Sequence, residues 1–156
     1  MIIGIDPGQS GGIAGIDGDA SYAVPMPLIG KDIDGHKIAA QLKSLTPDVV
    51  IIEKVHAMPK QGVSSTFKFG MGFGIVIGVC EALGIPYRLV TPQAWKKAVL
   101  AGTTKDKDAA IAFVRRAYPS IDLTPGRKRV PHDGMADAVC LAEYGRQIMG
   151  NISEVS

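Results

Sequence analysis

The sequence predicts a mixed α/β fold: one five-stranded sheet, an antiparallel three-strand meander extended by parallel strands, flanked by helices. Two patterns support this. Short apolar runs at the start are separated by turn signals of hairpin type, and the later runs alternate with segments of helical periodicity. At 156 residues, with no internal repeat and no Pro/Gly tract resembling a linker, the chain reads as one domain over residues 1–150. Residues 151–156 read as a disordered tail.

The elements follow in order. Ile2 to Ile5 is a buried strand, and Gly11 to Ile16 a second strand after the turn Pro7-Gly8-Gln9-Ser10-Gly11-Gly12. Asp17-Gly18-Asp19 turns the chain back, so Ala20 to Val24 completes the meander. From Asp32 to Leu45, Ile33, Ile38, Ala39, Leu42 and Leu45 share a helical face. Pro47 leads into the strand Val49 to Glu53, and His56 to Gly62 is a loop. A long apolar helix spans Ser64 to Leu83, with glycines at 70, 72, 74 and 78 forming a small-residue face. Gly84-Ile85-Pro86 ends it before the strand Tyr87 to Val90. Thr91 as N-cap and Pro92 at the first position start a short helix, and Thr104 to Tyr118 is another. Leu123 to Val130 is a basic loop, and the last helix runs from Asp133 to Met149.

Composition is that of an ordinary globular protein, with 46% hydrophobic and 21% charged residues. Cys80 and Cys140 lie in apolar runs without CxxC or Cys/His spacing, which suits buried free thiols and not a zinc site. The N-terminus has no signal-like segment, and no apolar run reaches the ~20 residues that span a bilayer. The expectation is therefore a cytoplasmic protein with no membrane partner, or one in a host-cell or organellar DNA compartment. Net charge is only +2, but its distribution is uneven. Between Lys54 and Arg129 the bases include Lys54, Lys60, Lys68, Lys96, Lys97, Lys107, Arg127, Lys128 and Arg129, against the acids Glu81, Asp106, Asp108 and Asp122 alone. A basic middle of this kind suits a polyanionic substrate.

Four acids carry the chemistry. Asp6 and Glu53 each end an apolar run, and Asp133 and Asp137 stand four apart at the start of the last helix, on one face. An acid at the end of a buried strand is costly unless something positive binds there. Several converging acids are costlier, because neighbouring like charges resist joint ionisation. A divalent cation resolves that conflict, and paired cations serve in-line phosphodiester cleavage. His132, on the loop side of Asp133, is out of phase with Asp137 but could reach the same place as a ligand or general base.

These pieces together resemble the RuvC family of Holliday junction resolvases, within the RNase H-like nuclease fold, in a short form like phage or organellar members. The resemblance rests on Gly4-Ile5-Asp6-Pro7-Gly8, Ile51-Ile52-Glu53, Pro92-Gln93-Ala94-Trp95-Lys96 with Lys107 eleven residues later, and Ala136-Asp137-Ala138. It implies a structure-specific endodeoxyribonuclease that resolves four-way DNA junctions by paired symmetric nicks. It implies that Asp6, Glu53 and Asp137 ligate two Mg²⁺ ions, with Mn²⁺ as a substitute, and that Lys96 and Lys107 contact the DNA backbone. The family places an Asp or His three residues before the last Asp, where this chain has Gly134, so Asp133 takes that part. The aromatic wedge that bacterial members carry three residues after the Glu is here His56. The glycine-faced helix around Gly70 to Gly78 packs closely on its own sheet or pairs two copies, and the resemblance favours a homodimer.

Two rivals are a nuclease of the same fold acting on other branched or RNA-containing substrates, and a sugar-kinase or actin-like ATP-binding module. The second needs a duplicated domain and a further phosphate loop, for which 156 residues leave no room.

Overall fold

A computed structural model describes residues 1–103, 106 and 108–153 of the chain. The meander is β1 (Ile2–Asp6), β2 (Gly12–Asp17) and β3 (Ala20–Pro25). A small hairpin, β4 (Leu28–Ile29) and β5 (Asp32–Ile33), precedes α1 (Gly35–Leu45). Then come β6 (Val49–Glu53), α2 (Val63–Ala82), β7 (Tyr87–Val90), α3 (Pro92–Val99), α4 (Ala109–Ala117) and α5 (Asp133–Ser153). The five-stranded sheet has the order β3-β2-β1-β6-β7. β1 pairs antiparallel with β2 and parallel with β6, and β6 pairs parallel with β7, as the sequence predicts.

Several boundaries differ from the sequence reading, each for a local reason. Helix α1 starts at Gly35 and not at Asp32, because Asp32–Ile33 pairs with Leu28–Ile29 and Asp34 caps the helix by accepting from the Lys37 amide. Helix α4 begins at Ala109; Thr104, where the sequence reading begins it, lies outside the described residues. Helix α5 continues through Ser153, so residues 151–153 extend it and are not a tail.

The sheet carries helices on both faces, so β6 is apolar on both sides, as a central parallel strand requires. Val49 and Ile51 join the core formed with α3, α4 and α5, which holds Trp95, Val114, Met135 and Leu141. Val50 and Ile52 join the opposite core, which holds Ile38, Leu42, Val76 and Cys80 beside Ile3 and Ile5. Cys80 and Cys140 are free and buried in different cores. Glu143 is buried but satisfied: the Tyr118 hydroxyl donates to it, and Arg146 contacts both its oxygens at 2.7 Å, tying α4 to α5.

One close approach sets the position of α5. A Cβ on Gly4 would lie 2.1 Å from the Ala138 carbonyl oxygen and 2.5 Å from the Ala142 nitrogen. Backbone therefore meets backbone where β1 crosses under α5, which only glycine permits.

Helix α2 departs from the sequence reading in one respect and bears on an alternative that the sequence leaves open in another. At 20 residues and mean hydropathy 1.5 it is long and apolar enough to cross a membrane, although the sequence reading found no such run. Lys68 and Glu81 interrupt the strictly apolar stretch, yet the helix as a whole stays apolar on average. Its glycine face also does not pack on its own sheet. A Cβ at Gly70, Gly74 or Gly78 would meet nothing within 4 Å; only Gly72 is tightly seated, against Ile33. Val63, Phe67 and Met71 share that open face and are 89%, 73% and 38% exposed.

Replacing Gly4 by Ala forces β1 and α5 apart. We expect Gly4→Ala to lower unfolding free energy by about 3 kcal/mol in urea titration, at the upper end of overpacking costs; wild-type stability would contradict the contact.

Candidate active site

The pleat and the register decide where the acids point. In β1, Ile3 and Ile5 enter the α1/α2 core, so Gly4 and Asp6 face α5. In β6, Val49 and Ile51 face α3 and α5, so Glu53 does too. Ile5 is level with Ile52 across the parallel pair, which sets Asp6 and Glu53 side by side at the carboxyl end of the sheet. In open α/β sheets that end is where ligands bind.

The start of α5 is seated on the turn after β1. A Cβ on Gly134 would fall 2.1 Å from the Ser10 carbonyl oxygen, so no side chain fits at the position where the family carries an acid or histidine. Asp133 is exposed on the first helical turn, where an acid also suits the helix dipole. It is not the N-cap. That place belongs to His132, whose carbonyl accepts from the Ala136 amide at 3.2 Å and whose Nδ1 accepts from the Met135 amide at 3.1 Å. Nδ1 is thus committed to the cap, and only Nε2 is left for any further role. Burial and the nearby Lys128 hold the His132 pKa below the usual imidazole value.

The four acids share one electrostatic environment. Burial, reinforced first by Glu53, pushes the Asp6 carboxyl up to about 6, against a bond from the Gly8 amide. Burial, then Asp6 and Glu53, raise Asp137 to about 7. Asp133 raises both further, and Lys96 pulls both down. Glu53 accepts a 2.7 Å hydrogen bond at Oε2 from the indole of Trp95, a contact that sequence reasoning missed although Trp95 stands in the motif with Lys96. The donor chemistry fits a hard divalent cation: carboxylate oxygens on desolvated acids whose mutual repulsion is only partly offset by a lysine. Among the described residues no three His, Cys, Asp or Glu side chains converge to chelating distance. Glu53 and Asp133 therefore stand close enough to raise the pKa of Asp6 and Asp137 without the four acids forming a closed cage.

The predicted DNA-contacting residues lie in three places. Lys96 and Lys97 are exposed on α3, with the Lys96 Nζ 5.3 Å from the Trp95 ring centroid. Lys54, His56 and Lys60 are exposed on the loop after β6, and Lys68 lines a cleft with Pro7, Gly8, Lys31 and Phe69. Arg127, Lys128 and Arg129 are exposed just before α5. Lys107 lies outside the described residues.

The chain is 30% identical over 151 residues to the crossover junction endodeoxyribonuclease RuvC of Nitratidesulfovibrio vulgaris (strain DP4), covering 89% of this chain and 88% of that protein. This chain belongs to the RuvC family. It is also 28% identical over 155 residues to RuvC of Paenarthrobacter aurescens (strain TC1), covering 90% and 78% of the two chains. No protein-family model matches it. Among solved structures, T. thermophilus RuvC in complex with Holliday junction substrate aligns with a TM-score of 0.67 at 18% identity, over 96% of this chain and 95% of that one. The yeast mitochondrial Holliday junction resolvase Ydc2 aligns at 0.59 and 15% identity, over 98% and 80%. Those likenesses establish the RuvC fold, the RNase H-like mixed sheet that the sequence predicts.

The raised carboxyl values make RuvC-type stability depend on pH here. With Asp6 near 6 and Asp137 near 7 against an ordinary 3.8, the folded chain holds protons that the unfolded chain has lost. These two groups stabilise the fold at low pH and lose that contribution as pH rises through the window. In chelator the thermal midpoint should fall between about pH 4 and pH 7, and the Asp6→Asn/Asp137→Asn double variant should flatten that slope. An equal slope in the variant would remove both acids as its source.

Proposed function

We propose that this RuvC-family chain resolves four-way DNA junctions, cutting two symmetric strands by metal-dependent phosphodiester hydrolysis. The observation that supports the reading is that Asp6 and Asp137 are held above their ordinary pKa by burial and by neighbouring acids, Glu53 and Asp133 acting on both. Those residues would hold Mg²⁺, or Mn²⁺ in its place. Two such ions would supply an activated water and charge stabilisation for the leaving 3′ oxygen.

The chain's own groups do the rest. Asp6 and Asp137, raised to about 6 and about 7, each lose a proton near neutral pH and would present that charge to cations. Lys96 borders the acids and offers an ammonium to a neighbouring phosphate, as do Lys54, Lys60, Lys68, Lys97 and Arg127 to Arg129 farther out. Such contacts position the duplex and weaken with salt without reading sequence. His56, exposed on the loop beyond Glu53, offers an imidazole face on which a base at the junction can stack.

Two symmetric cuts call for two sites related by a two-fold axis. The open face of α2 supports a homodimer: it is apolar, exposed, and ridged by Gly70, Gly74 and Gly78, which let a second backbone approach closely. Pairing suits this face better than a bilayer, because Val76 and Cys80 of the same helix are fully buried in the domain core.

The decisive experiment is cleavage of a labelled four-way junction with Mg²⁺, Mn²⁺ or chelator, beside linear duplex, fork and RNA–DNA hybrid. Paired nicks on the junction alone are expected; equal cutting of the hybrid would move the protein to another nuclease activity of the same fold. Asp6→Asn and Asp137→Asn should each slow cleavage by about 10³-fold or more, the loss of roughly 4 kcal/mol of transition-state stabilisation, while junction binding persists. Normal cutting by either variant would release that residue from the site. Gly74→Glu should halve the mass measured by light scattering, whereas a retained pair would take α2 out of the interface.

A further inference from the structure

Trp95 is fully buried, yet its indole N–H points at a carboxylate that the site would use. The topology explains how. Glu53 is paired with Val90 across β6 and β7, and α3 begins directly after Val90 with Thr91 as its N-cap, accepting from the Ala94 amide. The first turn of α3 therefore rises beside Glu53, and Trp95 lies beneath it. A buried indole N–H needs an acceptor, and Oε2 of Glu53 is that acceptor at 2.7 Å.

We propose that Trp95 is a positioning residue for the metal site: it fixes Glu53 through Oε2 and leaves Oε1 to meet the cation. The inference rests on Glu53 being a ligand, as argued above. The last torsion of a glutamate is broad and nearly two-fold, so one hydrogen bond to one oxygen selects the orientation of the other. Among the described residues no hydrogen bond reaches Oε1. The same ring carries Lys96, whose ammonium sits 5.3 Å from its centroid and lowers the pKa of Asp6 and Asp137. One buried aromatic thus orients an acid of the site and supports the base that offsets two others.

The competing reading is that Trp95 only fills the core between α3 and the sheet. Calorimetric titration of the full chain with Mg²⁺ separates the two, using wild type, Trp95→Phe, Glu53→Gln and the double variant, with thermal midpoints recorded for each. Positioning predicts that Trp95→Phe weakens metal binding about tenfold or more, as loss of a ligand's hydrogen-bond partner does, and has no further effect once Glu53 is Gln. Wild-type affinity in Trp95→Phe, or an equal loss in both backgrounds, would overturn the role of Trp95 alone. No Mg²⁺ binding by the wild type would overturn the metal site and this inference with it. Trp95 is the single tryptophan of the chain, so emission gives a second readout that needs no substitution at Trp95. Mg²⁺ should shift wild-type emission saturably and leave Glu53→Gln unchanged; an unresponsive wild type that binds Mg²⁺ would also overturn the proposal.

Discussion

The backbone of α5 rests on that of β1 without a side chain between them, and the carboxylate site inherits its dimensions from that separation. Gly4 makes the crossing, Gly12 receives the Met135 backbone, and Gly134 settles on the turn at Ser10 and Gly11. Gly145, farther along the helix, closes on Ile2 and Ile51. The contacts at Gly4, Gly12 and Gly134 are intolerant of an added methyl, because the atoms they meet are backbone and cannot move aside as a side chain can. They hold Asp137, in the second turn of α5, over the strand that ends in Asp6. The absence of an acid at position 134 follows from the same seating: the helix start is too close to the turn for a side chain there.

That seating creates an electrostatic conflict. Asp6 and Asp137 lie in a largely desolvated place near enough for Asp6 to raise Asp137, with Glu53 and Asp133 adding negative charge and Lys96 relieving part of it. Elsewhere the chain avoids such conflicts. Glu143, the one acid among the buried residues described, is met by Arg146, Tyr118 and Gln147, and its pKa is lowered despite burial. The contrast between this satisfied buried acid and the mutually repelling acids drawn from β1, β6 and α5 marks the second group, and not Glu143, as the functional-site candidate.

Much of this was legible in the sequence because the signals were local. Apolar runs bounded by turn residues located all five strands of the main sheet, and Val49 to Glu53 and Tyr87 to Val90 agree with the structure at both ends. Thr91-Pro92 marked the start of α3 by chemistry that needs no tertiary context. Asp6, Glu53 and Asp137 were conspicuous because each interrupted or ended an apolar run, and Asp133 because it stands four before Asp137. What escaped depended on distant contacts. The β4–β5 hairpin is too short to show a period. The N-cap of α5 went to His132 through hydrogen bonds that spacing does not reveal. The indole bond to Glu53 joins residues 42 apart. The exposure of α2 was hidden for the opposite reason: a helix apolar on every side reads as buried, and nothing in its own sequence says which sides the domain covers.

Helix α2 has a second face. On it, Phe69 sits 3.3 Å from where a Cβ of Gly8 would be, and Gly72 approaches the Pro7 carbonyl, so the helix is braced directly against the turn that follows Asp6. If two copies pair through the open face and cut as proposed, one rigid element would lie between the symmetry axis and each site. The distance between the two scission points would then be set by the span of a helix and not by the reach of a loop. A junction whose opposed phosphates did not match that gauge would be held at one site only, leaving the second strand whole.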